Sequence, residues 1–309
     1  MRGLARFLAQ RLGQAVLILI GITLITFLLT YLIPADPARL MAGRNASPQT
    51  VDSIRQQLGL DQPLPIQYLR YLWGLLQGDM GRSYLQRTEV AELIMSRLPA
   101  TLQLMAGAIF FELAIGLPLG VLAAVNRGRR ADRALMVVSF VGVSAPQFVV
   151  GILLLYVFAA QLHWFPLRGY GSLEHLVLPA VTLGILGGGW YSRMMRSSMI
   201  DVLRHDYIRT ARAKGAGRGR IVMVHALRNA ILPVIAMIGL DVGIFMSGVV
   251  VVETVFGWPG IGQLAWQAIQ RLDIPIIMGV TLVAAIAILI GNLLADLVAP
   301  FVDPRIRLR

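Results

Sequence analysis

The chain has 309 residues, of which 57% are apolar and 14% charged, and its mean hydropathy is +0.70. Soluble domains carry about 25% charged residues, so this composition excludes an ordinary soluble protein and points to an all-α polytopic membrane protein, one domain over residues 1–309. The absence of cysteine excludes disulfides, thiolate metal sites and cysteine nucleophiles, and a net charge of +12 raises nucleic acid or anionic lipid as partners until the charges are located.

Arg2, Arg6 and Arg11 precede an uncharged run at 12–33, whose 22 residues suit a membrane span and exceed a signal-peptide core. Pro34, Asp36 and Pro37 follow without a small-residue cleavage pattern, so a retained first helix is expected.

The loop 34–100 reads as short amphipathic helices. Ser47 is a predicted N-cap with Pro48 at the first helical position and Gly59 as the stop. A second run carries Ile66, Leu69, Leu72, Trp73 and Leu76 at helical spacing, and a third starts near Thr88. Each fits a membrane interface or a cap packed on itself.

Further apolar spans follow at 101–125, 134–160, 176–192, 230–252 and 276–298, giving six. The fourth holds Gly184, Gly187, Gly188 and Gly189, which either permit close helix packing or mark an irregular segment.

Six spans put both termini on one side. The segments on that side (1–11, 126–133, 193–229 and 299–309) hold 19 basic and 4 acidic residues, against 9 and 9 in the opposite loops. The positive-inside rule then makes both termini cytoplasmic, and it accounts for most of the basic character without nucleic acid.

Three acidic residues fall within predicted spans: Glu112 and Asp241 near mid-membrane, and Asp296 near the cytoplasmic end. A mid-bilayer carboxylate costs about 2.5–3.5 kcal/mol on insertion scales, so Glu112 and Asp241 are expected to line a translocation path or to make a structural hydrogen bond. Asp296 is expected to be interfacial.

Catalytic signatures are missing. The sole lysine, Lys214, is followed by Gly215, which rules out a Gly-Lys-Ser/Thr phosphate loop, so this chain does not hydrolyse ATP by itself. Four scattered histidines form no metal pattern, and no Gly-x-Ser-x-Gly elbow occurs. No catalytic residue, metal or cofactor is assigned to the chain.

The stretch 206–233, DYIRTARAKGAGRGRIVMVHALRNAILP, has the makings of a device. Asp206 is a predicted N-cap for a two-turn helix through Tyr207 and Arg209, stopped by Gly215. Thr210, Ala211 and Ala213 flatten its surface while Arg209, Arg212 and Lys214 radiate around it. A second helix then leads into the fifth span, so a partner gripping the short helix would pull directly on that span.

These residues resemble the cytoplasmic coupling signature of ATP-binding-cassette importer permeases, EAA-x3-G-x9-I-x-LP. Arg209, Thr210 and Ala211 stand at its first three positions, Gly215 at its glycine and His225 to Arg228 at its end. DYIRTARAKG and HALRNAILPV are similar to the branch that serves dipeptide, oligopeptide and nickel importers, specifically its first permease subunit. DPARLMAG, QQLGLDQPLPIQYLRYL, GDMGRSY, VVETVFGWPGIGQL and the terminal DPRIRLR resemble the same branch, so the likeness spans nearly the whole chain.

The resemblance implies a type I importer permease fold of six transmembrane helices in a bacterial inner membrane. It also implies a second six-helix permease, usually a different chain, two cytoplasmic ATPases that use ATP and Mg and each grip one coupling helix, and an extracytoplasmic binding protein. Asp206, Tyr207 and Arg209 to Gly215 become the ATPase contact, and the loop at Trp258, Pro259 and Gly260 would re-enter near the outer mouth of the path; on its own residues that loop reads as a turn. Dipeptides or short oligopeptides are the expected cargo, with glutathione, a nickel chelate or another small solute as alternatives, and a secondary transporter or channel as the reading from a different class.

Overall fold

A computed structural model of the chain describes residues 2–32, 36–43, 46–246 and 248–302; Pro34 and the terminal DPRIRLR motif lie outside them. Helix α1 covers Arg2–Leu32, and three short helices follow: α2 Pro37–Ala42, α3 Pro48–Gln57 and α4 Leu64–Leu76. Next come α5 Val90–Val125, α6 Arg130–Ser144 and α7 Gln147–Leu154, the last continuing as a π-helical turn, Leu155–Gln161. α8 is Leu173–Val202 and α9 Asp206–Ala213. α10 Arg218–Arg220, a π-helical turn Ile221–Ala226 and α11 Leu227–Ala230 lead into α12 Leu232–Met246. α13 Val250–Phe256, α14 Ile261–Arg271 and α15 Ile274–Val302 complete the chain.

Among the described residues, α1, α5, α8 and α15 are long and apolar enough to cross a membrane unbroken. Two bent pairs reach that length together: α6 with α7, bent by 99°, and the α10–α11 stretch with α12, bent by 47°. Counting each pair once gives the expected six spans.

Several boundaries differ from expectation. The run near Thr88 is not a separate helix: it is the first three turns of α5, which continues through Pro99 because the proline removes one donor on the exposed side while buried Val90, Ile94 and Ala100 hold the helix on the other. The fifth span was expected to end at 252, yet α12 stops at Met246 and α13 starts at Val250. At the break Gly248 has φ +94° and its α-carbon lies against the backbone of Gly262, a position no side chain can share. The glycine-rich fourth span is unbroken, so close packing is the role its glycines play.

That packing organises the bundle. A Cβ on Gly116 of α5 would sit 2.5 Å from Tyr191 Cβ of α8, so the two backbones touch where both helices carry small residues. On the next side of α8, Ser192 and the Ser139 hydroxyl of α6 share a 2.7 Å hydrogen bond. One turn on, Arg196 grips Asp132 of α6 through Nε and Nη2 at 2.7 and 2.8 Å, the bidentate fork that makes arginine–carboxylate pairs strong. Antiparallel α12 and α15 meet through Gly243 and Gly291. α1 rides outside α15 and is fastened at its first half by the Arg11–Asp296 ion pair, which gives the interfacial Asp296 a partner. At its far half Phe27 packs on Tyr68 and Tyr71 of α4, with ring centroids 5.3 and 6.2 Å apart.

The start of α1, the end of α15 and the α9 segment therefore share one end of the bundle, called here the terminal end. At the opposite end α3 begins as expected, with Ser47 Oγ accepting from Thr50 N–H and Pro48 at the first position. A turn there is locked to α15: buried Asp273 accepts from the Ser83 hydroxyl and from the Tyr84 N–H at 3.1 Å.

Candidate functional site

α9 projects from the terminal end as one short helix. Its N-cap is His205, with φ −66° and ψ 150°, and not Asp206 as the sequence suggested. Asp206 is the first helical residue, where its charge complements the exposed N–H groups without a side-chain cap bond. The stop falls where expected: Gly215 turns left-handed at φ +81°, its N–H donates to Arg212 O at 2.9 Å, and Ala216 N–H donates to Ala211 O at 3.1 Å.

Arg209, Thr210, Arg212, Ala213 and Lys214 are exposed and Ala211 is half-buried. Thr210 folds its hydroxyl back onto Asp206 O at 3.1 Å, so the outward surface offers small side chains ringed by cations. The 3.6 Å Arg209–Asp206 pair is fully in water and leaves both side chains available.

The inward face is anchored. Ile208, which sequence reasoning did not single out, is completely buried in a cluster with Met195, Met199 and Val202 of α8, Ile221 and Ala226 of the π turn, and Val234 of α12. Tyr207 adds a polar tie, its hydroxyl accepting from Asn229 Nδ2 at 2.7 Å. Beside this joint lies a cavity of about 520 Å³, walled by Val125, Leu203, Arg212, Arg218 and Ile221. Arg218 Nη2 donates to Val125 O at 3.1 Å, closing the end of α5.

Within the spans, the structure brings Glu112 and Asp241 side by side and adds Tyr191 between them, whose hydroxyl donates to Asp241. Glu112 is only 4% exposed and presses against Gly187, where a side chain would occupy the space of the carboxyl. Asp241 is half-buried. The trio links α5, α8 and α12 at one level. Glu112 is thus held inside the subunit, whereas Asp241 retains a solvent-accessible side.

Trp258 is 1% exposed: its indole N–H donates to Ala100 O at 2.8 Å and Tyr170 meets its ring edge-on at 4.9 Å. Pro259 and Gly260 carry the chain from it into α14. Gly260 lies against the carboxyl of Glu253, a second residue sequence reasoning passed over. Glu253 is fully buried in α13 and reaches forward to the first turn of α14, accepting from Gln263 N–H at 2.5 Å. Its Oε1 has no partner, and burial pushes the carboxyl up to about 7 despite the opposing backbone donors. Trp258 and Glu253 therefore brace the loop on α5 and α14.

Comparison with known proteins identifies the class. Residues 116–308 match the family described as binding-protein-dependent transport system inner membrane component, and residues 4–105 match its N-terminal companion. The chain belongs to this family and is a permease subunit of an ATP-binding-cassette importer. It is 41% identical to the dipeptide transport system permease protein DppB of Escherichia coli strain K12 over 98% of both chains. It is 40% identical to the glutathione transport system permease protein GsiC of Salmonella paratyphi A, over 97% of this chain and 98% of the relative. The fold resembles a chain of the inward-facing MetNI methionine ABC transporter, with TM-score 0.57 at 19% identity, covering 68% of this chain and 96% of that one.

Proposed function

We propose that this permease imports dipeptides or short oligopeptides across a bacterial inner membrane, with the terminal end of the bundle in the cytoplasm and α9 gripped there by an ATPase. The excess of arginine at that end supports the orientation. A second six-span permease, a different chain, completes the path, and an external binding protein delivers the cargo. Two ATPase subunits hydrolyse ATP with Mg, and their closure moves α9 and alternates the access of the path. Asp241 borders that path, the loop of Trp258, Pro259 and Gly260 supports its outer mouth from behind with Trp258 and Gly260 buried, and Glu112 stays behind Asp241 and sets its position.

The observation that carries this reading is the two-sidedness of α9: small and cationic outward, and welded inward through Ile208 to α8 and α12. Replacing Gly215 with Asp strains a left-handed residue and adds a negative charge at the grip. Gly215→Asp is expected to leave membrane insertion intact and to abolish both ATP-driven uptake and the stimulation of ATPase activity in reconstituted vesicles; unaltered uptake would refute the coupling role. The glutathione permease relative favours one other cargo. Competition between a labelled dipeptide and glutathione for uptake separates the two.

A further inference from the structure

α8 leaves one strip of its surface uncovered, bounded on each side by a bent span. Gly189, Ser192 and Arg196 face α6, where Ser192 meets Ser139 and Arg196 meets Asp132. Tyr191 faces α12 and holds Asp241. Between these edges stand Trp190, 56% exposed, and Met194, 38% exposed.

Residues on a helix step by about 100°, so Arg193 lies about 200° round from Tyr191, at the α6 edge of the strip. Its guanidinium carbon is 4.2 Å from the centroid of the Trp190 ring. Its Nε and Nη2 are buried and have no hydrogen-bond partner, and no carboxylate pairs with it among the described residues. Arg196, one turn away, shows by contrast what a satisfied arginine looks like in this helix. The strip thus has a cation without an anion at one edge and a half-buried carboxylate at the other.

The α-carbons of Tyr191 and Arg193 differ in height by about 3 Å and stand on nearly opposite sides of α8, so the strip over Trp190 and Met194 runs round the helix from one charge to the other. An extended chain of two or three residues spans about 7–11 Å. We infer that this strip is a subsite for a zwitterionic peptide, with the cargo carboxylate on Arg193, the ammonium at Asp241 and the backbone over Trp190 and Met194. Arginine suits the first role because its planar fork matches a carboxylate. The inference rests on the peptide-import reading and names where in the permease the cargo termini are read.

The chain contains no cysteine, so a single Ser197→Cys, on the same strip one turn beyond Arg193, gives a clean reporter. In the assembled complex in vesicles, with the terminal end accessible, dialanine is expected to slow labelling of this thiol by a small maleimide. Dialanine amide and N-acetyl-dialanine should each need about tenfold higher concentration, the loss of one charge-assisted contact. Adding Arg193→Gln should abolish the preference for the free carboxylate while leaving the preference for the free amine, and Arg193→Lys should keep part of it. Equal protection by all three peptides, or no protection by any of them in a complex that imports dipeptides, overturns the subsite. A complex that takes up no dipeptide on ATP addition overturns the cargo reading instead, a separate measurement.

Discussion

Ile208 shows how one apolar side chain fixes a surface helix to the bundle. α9 is only eight residues long, too short to be stable alone, so its place depends on burying this residue against α8 and α12. Ile208→Ala is expected to remove about 2–5 kcal/mol of local anchoring, and Ile208→Val about 0.5–1.5 kcal/mol. A complex carrying the alanine variant should hydrolyse ATP while moving less cargo, read as a rise in ATP consumed per peptide imported, whereas valine should stay close to the native ratio. Glu253 makes a second case. Its folded value of about 7 lies above the ordinary carboxylate range, so the folded state holds the proton more tightly and stability falls as pH rises from the ordinary value through about 7. The thermal midpoint of the purified complex should drop over that interval, and Glu253→Gln, which still accepts from Gln263, should flatten the drop; an identical slope in the variant would show that other groups set it.

At the scale of elements, the contact between α5 and α8 decides whether the bundle assembles. Gly116→Leu drives a branched side chain into Tyr191 Cβ, 2.5 Å from the position of its own Cβ, and into the backbone of Gly188. Overpacking of this kind costs about 1–3 kcal/mol or more where backbone must move, and the variant should show reduced membrane accumulation and a lower thermal midpoint. Much at this scale was legible in the sequence. The stop of α9 at Gly215 and the Ser47–Pro48 start of α3 are local events, set by residues within one turn. The start of α9 was misplaced by one residue because an acidic side chain is as well suited to the first turn as to the cap. The continuation of α5 back to Val90 was hidden because hydropathy reports the depth of the lipid and not the reach of the hydrogen-bond ladder. The meeting of Tyr191 with Asp241 joins residues 50 apart, and it depends on which faces of α8 and α12 come together, information that no window of sequence holds.

For the whole molecule, the fold places α9, the start of α1 and the end of α15 at one end, and the proposal that this end is cytoplasmic rests on its excess of arginine. The cysteine-free background makes this directly testable. A thiol introduced at exposed Ala213 should react with a membrane-impermeant reagent only in inverted vesicles, and one at exposed Trp73 only in right-side-out vesicles. The reverse pattern would turn the chain over. The apolar stripe of α4 is settled by the same assay: Leu69, Trp73 and Leu76 are exposed in the isolated chain, and burial in an interface would slow their labelling.

The 47° bend before α12 has a mechanical consequence. Pro233, in the first turn beyond it, lacks the N–H that would stiffen the joint. Below the bend, the π turn and α11 are bonded to α9 through Ile208 and Asn229; above it, α12 runs for 15 residues, an arm of about 22 Å. Swinging that arm by about 10° would carry the Gly248 break through an arc of about 4 Å, enough to admit or exclude a peptide backbone. The permease would then need no large rearrangement at α9, the proposed ATPase contact, since the geometry multiplies a small tug into a gate-sized stroke.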